Sequence, residues 1–159
     1  MNRPVTLRHL GRNPAHLLAF GLGAGLLPAP GTFGTLVGVA VYLWAQTLTL
    51  ELYTALCLLL FVVGIWLCGT TSRALGTEDH PGIVWDEITG YLIVMFAAPR
   101  GWEWIVLGFG LFRLFDIWKP WPINIADQKI KGGFGIMLDD VLAALYALLA
   151  LQLTYFLTH

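Results

Sequence analysis

Three stretches of this chain carry no charged side chain: residues 13–50, 52–72 and 141–158. Each is long enough to hold a helix of about 20 residues, the length that crosses the hydrocarbon of a bilayer. With 57% hydrophobic and 12% charged residues, and a mean hydropathy of +0.72, the chain reads as an integral membrane protein. The formal net charge of −1 and the lack of a Lys/Arg run with interleaved aromatics argue against nucleic acid as a partner. The first residues carry basic groups before an apolar stretch, but no small-residue cleavage signature follows, so the start is read as mature protein. Cys57 and Cys68 both fall inside the second charge-free stretch and read as small buried hydrophobes.

Pro28, Pro30 and Gly31 interrupt the first stretch. Residues 14–27 are then too short to cross and are expected to form an interfacial or re-entrant helix. Spans are expected over residues 32–49, 52–69, 83–98, 102–118 and 136–157, with polar connections at 74–82 and 120–135. The expected fold is an all-α, multi-pass membrane bundle of about five spans plus the N-terminal surface helix, in one domain covering residues 1–159. In this topology Arg3, Arg8, Arg12, Arg73, Arg113, Lys119, Lys129 and Lys131 share one side and Arg100 alone takes the other, which makes the first side cytoplasmic. A shallow re-entrant pair over 83–118 would move Arg100 inside and leave the acids where they are.

Five carboxylates end up on that same side: Asp86 and Glu87 in "VWDEITG", Asp116 in "FRLFDIWKPWP", and Asp139 and Asp140 in "GGFGIMLDD". A carboxylate at a membrane boundary costs several kcal/mol unless a cation, a proton or a basic partner meets it. Adjacent Asp86 and Glu87 differ by about 100° around a helix, so one can face a site while the other supports it; a helix N-terminal pair held by the macrodipole is the plainer reading. Arg113, Asp116 and Lys119 are three apart and form one stripe, suited to an internal ion pair or to phosphate beside a metal. Asp139 and Asp140 read equally as helix caps or as ligands, with Gly132, Gly133 and Gly135 permitting close backbone approach and Lys131 alongside. Pro30, Gly31 and Thr32 open an apolar helix whose first amides can cradle an anion, or form a Pro/Gly turn capped by Thr32. His9, His16, His80 and His159 are scattered, and the seven tryptophans read mainly as an interfacial belt.

Other phosphatase chemistries are missing their parts. Cys68 and Arg73 are separated by four residues rather than the five of a cysteine-phosphatase loop, and no Asp-x-Asp motif occurs. Metal-assisted chemistry remains.

The blocks "PGTFGTL" (30–36), "IVWDEITG" (83–90), "FRLFDIWKPWPI" (112–123) and "GGFGIMLDD" (132–140) resemble the bacterial phosphatidylglycerophosphatase A family, in the family's order and over nearly the whole chain. The stretch 124–129 is the least family-like. The resemblance implies a membrane enzyme that removes the terminal phosphate of phosphatidylglycerophosphate to leave phosphatidylglycerol, with Mg²⁺ as cofactor. It implies functional roles for Asp86, Glu87, Asp116, Lys119, Asp139, Asp140 and Thr32.

Joined to the residue chemistry, this gives a concrete expectation. Asp86, Glu87, Asp116, Asp139 and Asp140 would ligate one or two Mg²⁺ ions, while Arg113 and Lys119 neutralise phosphate. Gly31, Thr32, Gly133 and Lys131 would help bind the substrate. The expected location is the bacterial inner membrane, with the site facing the cytoplasm and no obligate protein partner. Two rival readings are an ion-coupled transporter component and a structural membrane scaffold. A transporter should place its acids near mid-span, whereas these sit at one boundary.

Overall fold

The computed structural model describes Leu10 and residues 13–159. Arg3, Arg8 and Arg12, which entered the topology argument, and His9 lie outside the described residues. The regular structure of the described residues is all α or 3₁₀ helix: α1 (Pro14–Ala19), a 3₁₀ segment (Gly21–Leu26), α2 (Pro30–Ala45), α3 (Leu50–Leu75), α4 (Trp85–Val94), α5 (Trp102–Trp118), α6 (Ile123–Lys129) and α7 (Gly132–Thr158).

Local chemistry sets these boundaries. Asn13 accepts the Ala15 amide at 3.0 Å and Pro14 occupies the first helical position. At the Pro28–Pro30 break, Ala29 takes a left-handed conformation and Pro30 opens α2. Thr49 caps α3, which Gly76 closes in a left-handed conformation. Lys119 ends α5 with φ of 45°, immediately before Pro120.

Three expectations are corrected. The span expected over 83–98 is only the ten-residue α4, about 15 Å long and too short to cross, because Val84 is non-helical and Ala97, Pro99 and Gly101 turn the chain. The last helix starts at Gly132, not near residue 136. Residues 14–27 divide into α1 and the 3₁₀ segment instead of forming one helix. Two helices, α3 with 26 residues and α7 with 27, are long and apolar enough to cross a membrane. At 16 and 17 residues, α2 and α5 reach about 25 Å.

The central element is α7, which touches α3, α4, α5 and α6, while α4 packs on α2 and α3. Ala143, Ala144, Ala147 and Leu151 of α7 are fully buried. Small residues bring the backbones together: Gly38 lies against Ile88 and Tyr91, and Gly90 against Phe112. Among apolar surroundings such close approach supplies the attraction between helices. Polar side chains add bridges, with Tyr53 donating to the Leu92 carbonyl at 2.6 Å and Tyr91 to that of Ile105 at 2.9 Å. Leu58, Val62 and Trp66 of α3 and Leu149 and Leu153 of α7 point outward. Trp102, Trp118 and Trp121 are exposed as a belt requires, but Trp104 is buried against Tyr155, and Trp85 donates to the Leu60 carbonyl at 3.0 Å.

Gly133 faces α3, where an added Cβ would collide with the Ile65 carbonyl oxygen. Gly133→Ala should therefore lower stability by about 1–3 kcal/mol, seen as a lower thermal unfolding midpoint in detergent. A midpoint equal to that of the parent would show that α3 does not need this glycine.

Candidate active site

Three helices and one loop bring the acidic blocks to the same end of the bundle. Asp86 and Glu87 occupy the first turn of α4, where the helix dipole favours negative charge. Asp139 and Asp140 lie about two turns inside α7, whose first residue is Gly132, so capping does not account for them. The last turns of α5 supply Arg113 and Asp116, with Lys119 just beyond its end.

These seven side chains line one cavity of about 190 Å³, together with Pro30, Gly31, Asp79, Pro81 and Ile83. Arg113 pairs with Asp116 and stands 4.0 Å from Glu87. Lys119 reaches back to donate to Asp139 at 2.5 Å and to Asp127 at 2.8 Å. Asp86, Asp139 and Asp140 are 8%, 5% and 3% exposed, far below what unpaired acids tolerate. Asp86 Oδ1, Glu87 Oε2, Asp139 Oδ1, Asp140 Oδ2 and Arg113 Nε are buried without a hydrogen-bond partner among the described residues. Such groups call for a ligand.

The structure also sorts the expected ligands. Asp86, Glu87 and Asp140 each offer an oxygen within 4.8 Å of the others. Their hard, anionic oxygens and orphaned atoms fit a divalent cation such as Mg²⁺. One oxygen of Asp116 is instead committed to Arg113, and one of Asp139 to Lys119. These two acids act in the structure as counter-ions to the cations.

Gly31 touches the site: a Cβ there would lie 2.6 Å from Glu87 Oε1 and 2.8 Å from both terminal nitrogens of Arg113. The anion cradle is thinner than the sequence suggested, since Pro30 has no N–H and the Thr32 and Phe33 amides donate to the Ala29 carbonyl. Thr32 and Gly133 do not line the cavity. Lys131 borders a second, larger cavity of about 420 Å³ that meets the first at Asp79 and Asp139. His80 accepts the Gly82 amide at 3.0 Å and lies tilted against the Phe20 ring, so it braces the loop without entering the cavity.

Charge pairing tunes the rim. Burial alone would lower the Lys119 pKa, but the hydrogen bonds it donates to Asp127 and Asp139 overturn that and hold it above its ordinary value. Partial burial pushes Asp127 up, yet the Lys119 ammonium wins and keeps it below the usual carboxylate range. Desolvation lowers the His80 pKa, in keeping with its acceptor role.

Asp127 and Asp79 are the cavity residues that sequence reasoning missed. Asp127 lies on α6, in a segment read as a plain connection, and its signal was the amphipathic run 123–129 immediately after a proline.

The unpartnered acids oppose folding when no cation is bound. In chelator-treated detergent, Asp140→Asn should raise the unfolding midpoint by roughly 2–4 °C for each kcal/mol of relieved repulsion. An unchanged or lower midpoint would mean that the three carboxylates are not in strain.

A family model for phosphatidylglycerophosphatase A matches residues 17–155. The phosphatidylglycerophosphatase A of Haemophilus influenzae is 49% identical over 143 residues, covering 86% of both chains. That of Escherichia coli is 41% identical over 149 residues, covering 92% of this chain and 85% of the relative. No solved structure matches the chain significantly. Four sequence blocks that meet at one acidic cavity, and relatives aligned over almost the full length, lead to one conclusion: the chain belongs to the phosphatidylglycerophosphatase A family.

Proposed function

We infer that this chain hydrolyses phosphatidylglycerophosphate to phosphatidylglycerol and inorganic phosphate, the reaction named by its family and by the relatives it matches. The observation that carries the reading is the convergence of Asp86, Glu87, Asp116, Asp139 and Asp140 with Arg113 and Lys119 on one cavity. Acids alone would repel a phosphate. Two cations at the rim of a buried carboxylate group let an anionic substrate approach.

The reaction breaks the bond between phosphorus and the glycerol oxygen and joins phosphorus to a water oxygen. The water gives up a proton to a carboxylate of the cluster, which passes it to the departing glycerol oxygen so that this leaves as a hydroxyl. Arg113 and Lys119 offset the charge that builds on the phosphoryl oxygens, and their counter-ions Asp116 and Asp139 hold them in place. Asp86, Glu87 and Asp140 would hold Mg²⁺, which supplies Lewis-acid polarisation of the phosphoryl group when bound. Gly31 permits α2 to approach the Glu87–Arg113 pair.

The setting is a membrane. With α3 and α7 as the long apolar helices, the chain would sit in the bacterial inner membrane as a single membrane-embedded domain, with the acidic end toward the cytoplasm. The basic residues on that end favour this orientation, and the headgroup is then met at the leaflet surface.

Three measurements test the reading. Phosphate release from phosphatidylglycerophosphate in detergent should be abolished by a chelator and restored by Mg²⁺; release that ignores Mg²⁺ would remove the metal from the proposal. Asp116→Asn and Asp140→Asn should each lower kcat at least 100-fold while the protein still inserts and folds, and near-parental turnover in either would discard its assigned role. Gly31→Ala meets only the flexible ends of Glu87 and Arg113. It should leave the unfolding midpoint within a few degrees and lower kcat/KM about tenfold, an expectation defeated by unchanged kinetics.

A further inference from the structure

Lys119 and Lys131 sit at the inner and outer ends of the joined cavities, and both are tied to one residue of α6. Lys119 Nζ donates to the Asp127 carboxylate at 2.8 Å, and Lys131 Nζ to the Asp127 backbone carbonyl at 3.4 Å. Lys119 belongs to the 190 Å³ acidic cavity and Lys131 to the 420 Å³ cavity, which Asp127 also lines. Two contacts to a single residue keep the ammonium groups within about 12 Å of each other by covalent geometry. Phosphorus atoms at the two ends of a three-carbon bridge stand about 7 Å apart, and each phosphate oxygen meets an ammonium at about 2.7–2.9 Å. A glycerol carrying a phosphate at each end is long enough to reach from one lysine to the other.

We propose that Asp127 is a specificity-determining residue, spacing Lys119 and Lys131 so that they receive the two phosphates of a doubly phosphorylated glycerol headgroup. This rests on the hydrolytic reading given above. The leaving phosphate is met by Lys119, and the phosphodiester that continues to the lipid is met by Lys131. Between them Asp79, Asp127 and Gln128 line the larger cavity together with Glu78 and Asp139; one of these side-chain oxygens accepts the hydrogen bond of the central hydroxyl, and the carboxylates repel a phosphate placed between the ends. A lipid with a single phosphate engages one lysine only. Glu78, 3.4 Å from Lys131 on the exposed side, holds the outer cation over the opening. The plainer role for Asp127 is that of a local brace at the end of α6, and such a brace has no reason to distinguish between substrates.

The test compares kcat/KM of the full-length protein on phosphatidylglycerophosphate and on phosphatidic acid with the same acyl chains. The parent should prefer the doubly phosphorylated lipid. Asp127→Asn should cut that preference at least tenfold, mainly through KM, and Asp127→Glu should restore part of it. As soluble inhibitors, glycerol 1,3-bisphosphate and glycerol 3-phosphate should lose their difference in Ki in the same variant. Equal losses on both lipids, or an unchanged preference and Ki ratio, overturn the role given to Asp127. A parent protein without turnover of phosphatidylglycerophosphate overturns the hydrolytic reading itself, and the parental measurement separates that failure from the first.

Discussion

Mutual repulsion among Asp86, Glu87 and Asp140 is the constraint around which this molecule is built. Three carboxylates with oxygens within 4.8 Å of one another do not gather by their own preference. They are brought together because α4 packs on α7 through contacts that apolar attraction and small residues make favourable. Gly90 lets α4 come close to the Asp140 backbone of α7 as well as to Phe112 of α5, Gly38 of α2 admits Tyr91 of α4, and the alanine face of α7 lies at the centre of the bundle. The core thus pays for the site. Arg113 and Lys119 then pair with Asp116 and Asp139, leaving the buried trio as the place where a cation is wanted.

Much of this was legible in the chain. Charge-free stretches announced apolar helices, and acids at their boundaries marked the residues that meet at one cavity. Helix length was read less well, because the end of α4 and the residues after it form one run from 88 to 98 without a charged side chain. The turn at Ala97, Pro99 and Gly101 is set by backbone conformation, not by polarity. Hydropathy cannot register such a turn. For Asp139 and Asp140, the glycines before them suggested a loop, whereas Gly132, Gly133 and Gly135 are the first turn of α7, with Gly133 and Gly135 against neighbouring backbone.

Asp127 shows a different kind of blindness. Its importance comes from a lysine eight residues away that turns back after α5. Lys119 does this from a left-handed backbone conformation that costs a non-glycine residue roughly 1–2 kcal/mol. Neither fact is encoded in a local pattern of polarity. A glycine would relieve the backbone there but would supply no ammonium to Asp127 and Asp139, so the charge and the strained turn have to come from one residue.

Unequal helix lengths have a consequence for the surrounding lipid. In a bilayer with about 30 Å of hydrocarbon, α3 and α7, at about 40 Å, overshoot the apolar layer, while α2 and α5, at about 25 Å, fall short of it. The shorter pair delivers Gly31 and Arg113 to the acidic cavity, so the mismatch falls on the side where the site is assembled. In the membrane setting proposed above, lipid beside that pair would thin or dip to meet it. A headgroup approaching there would descend into a local depression of the leaflet, with the membrane itself as one wall of the approach.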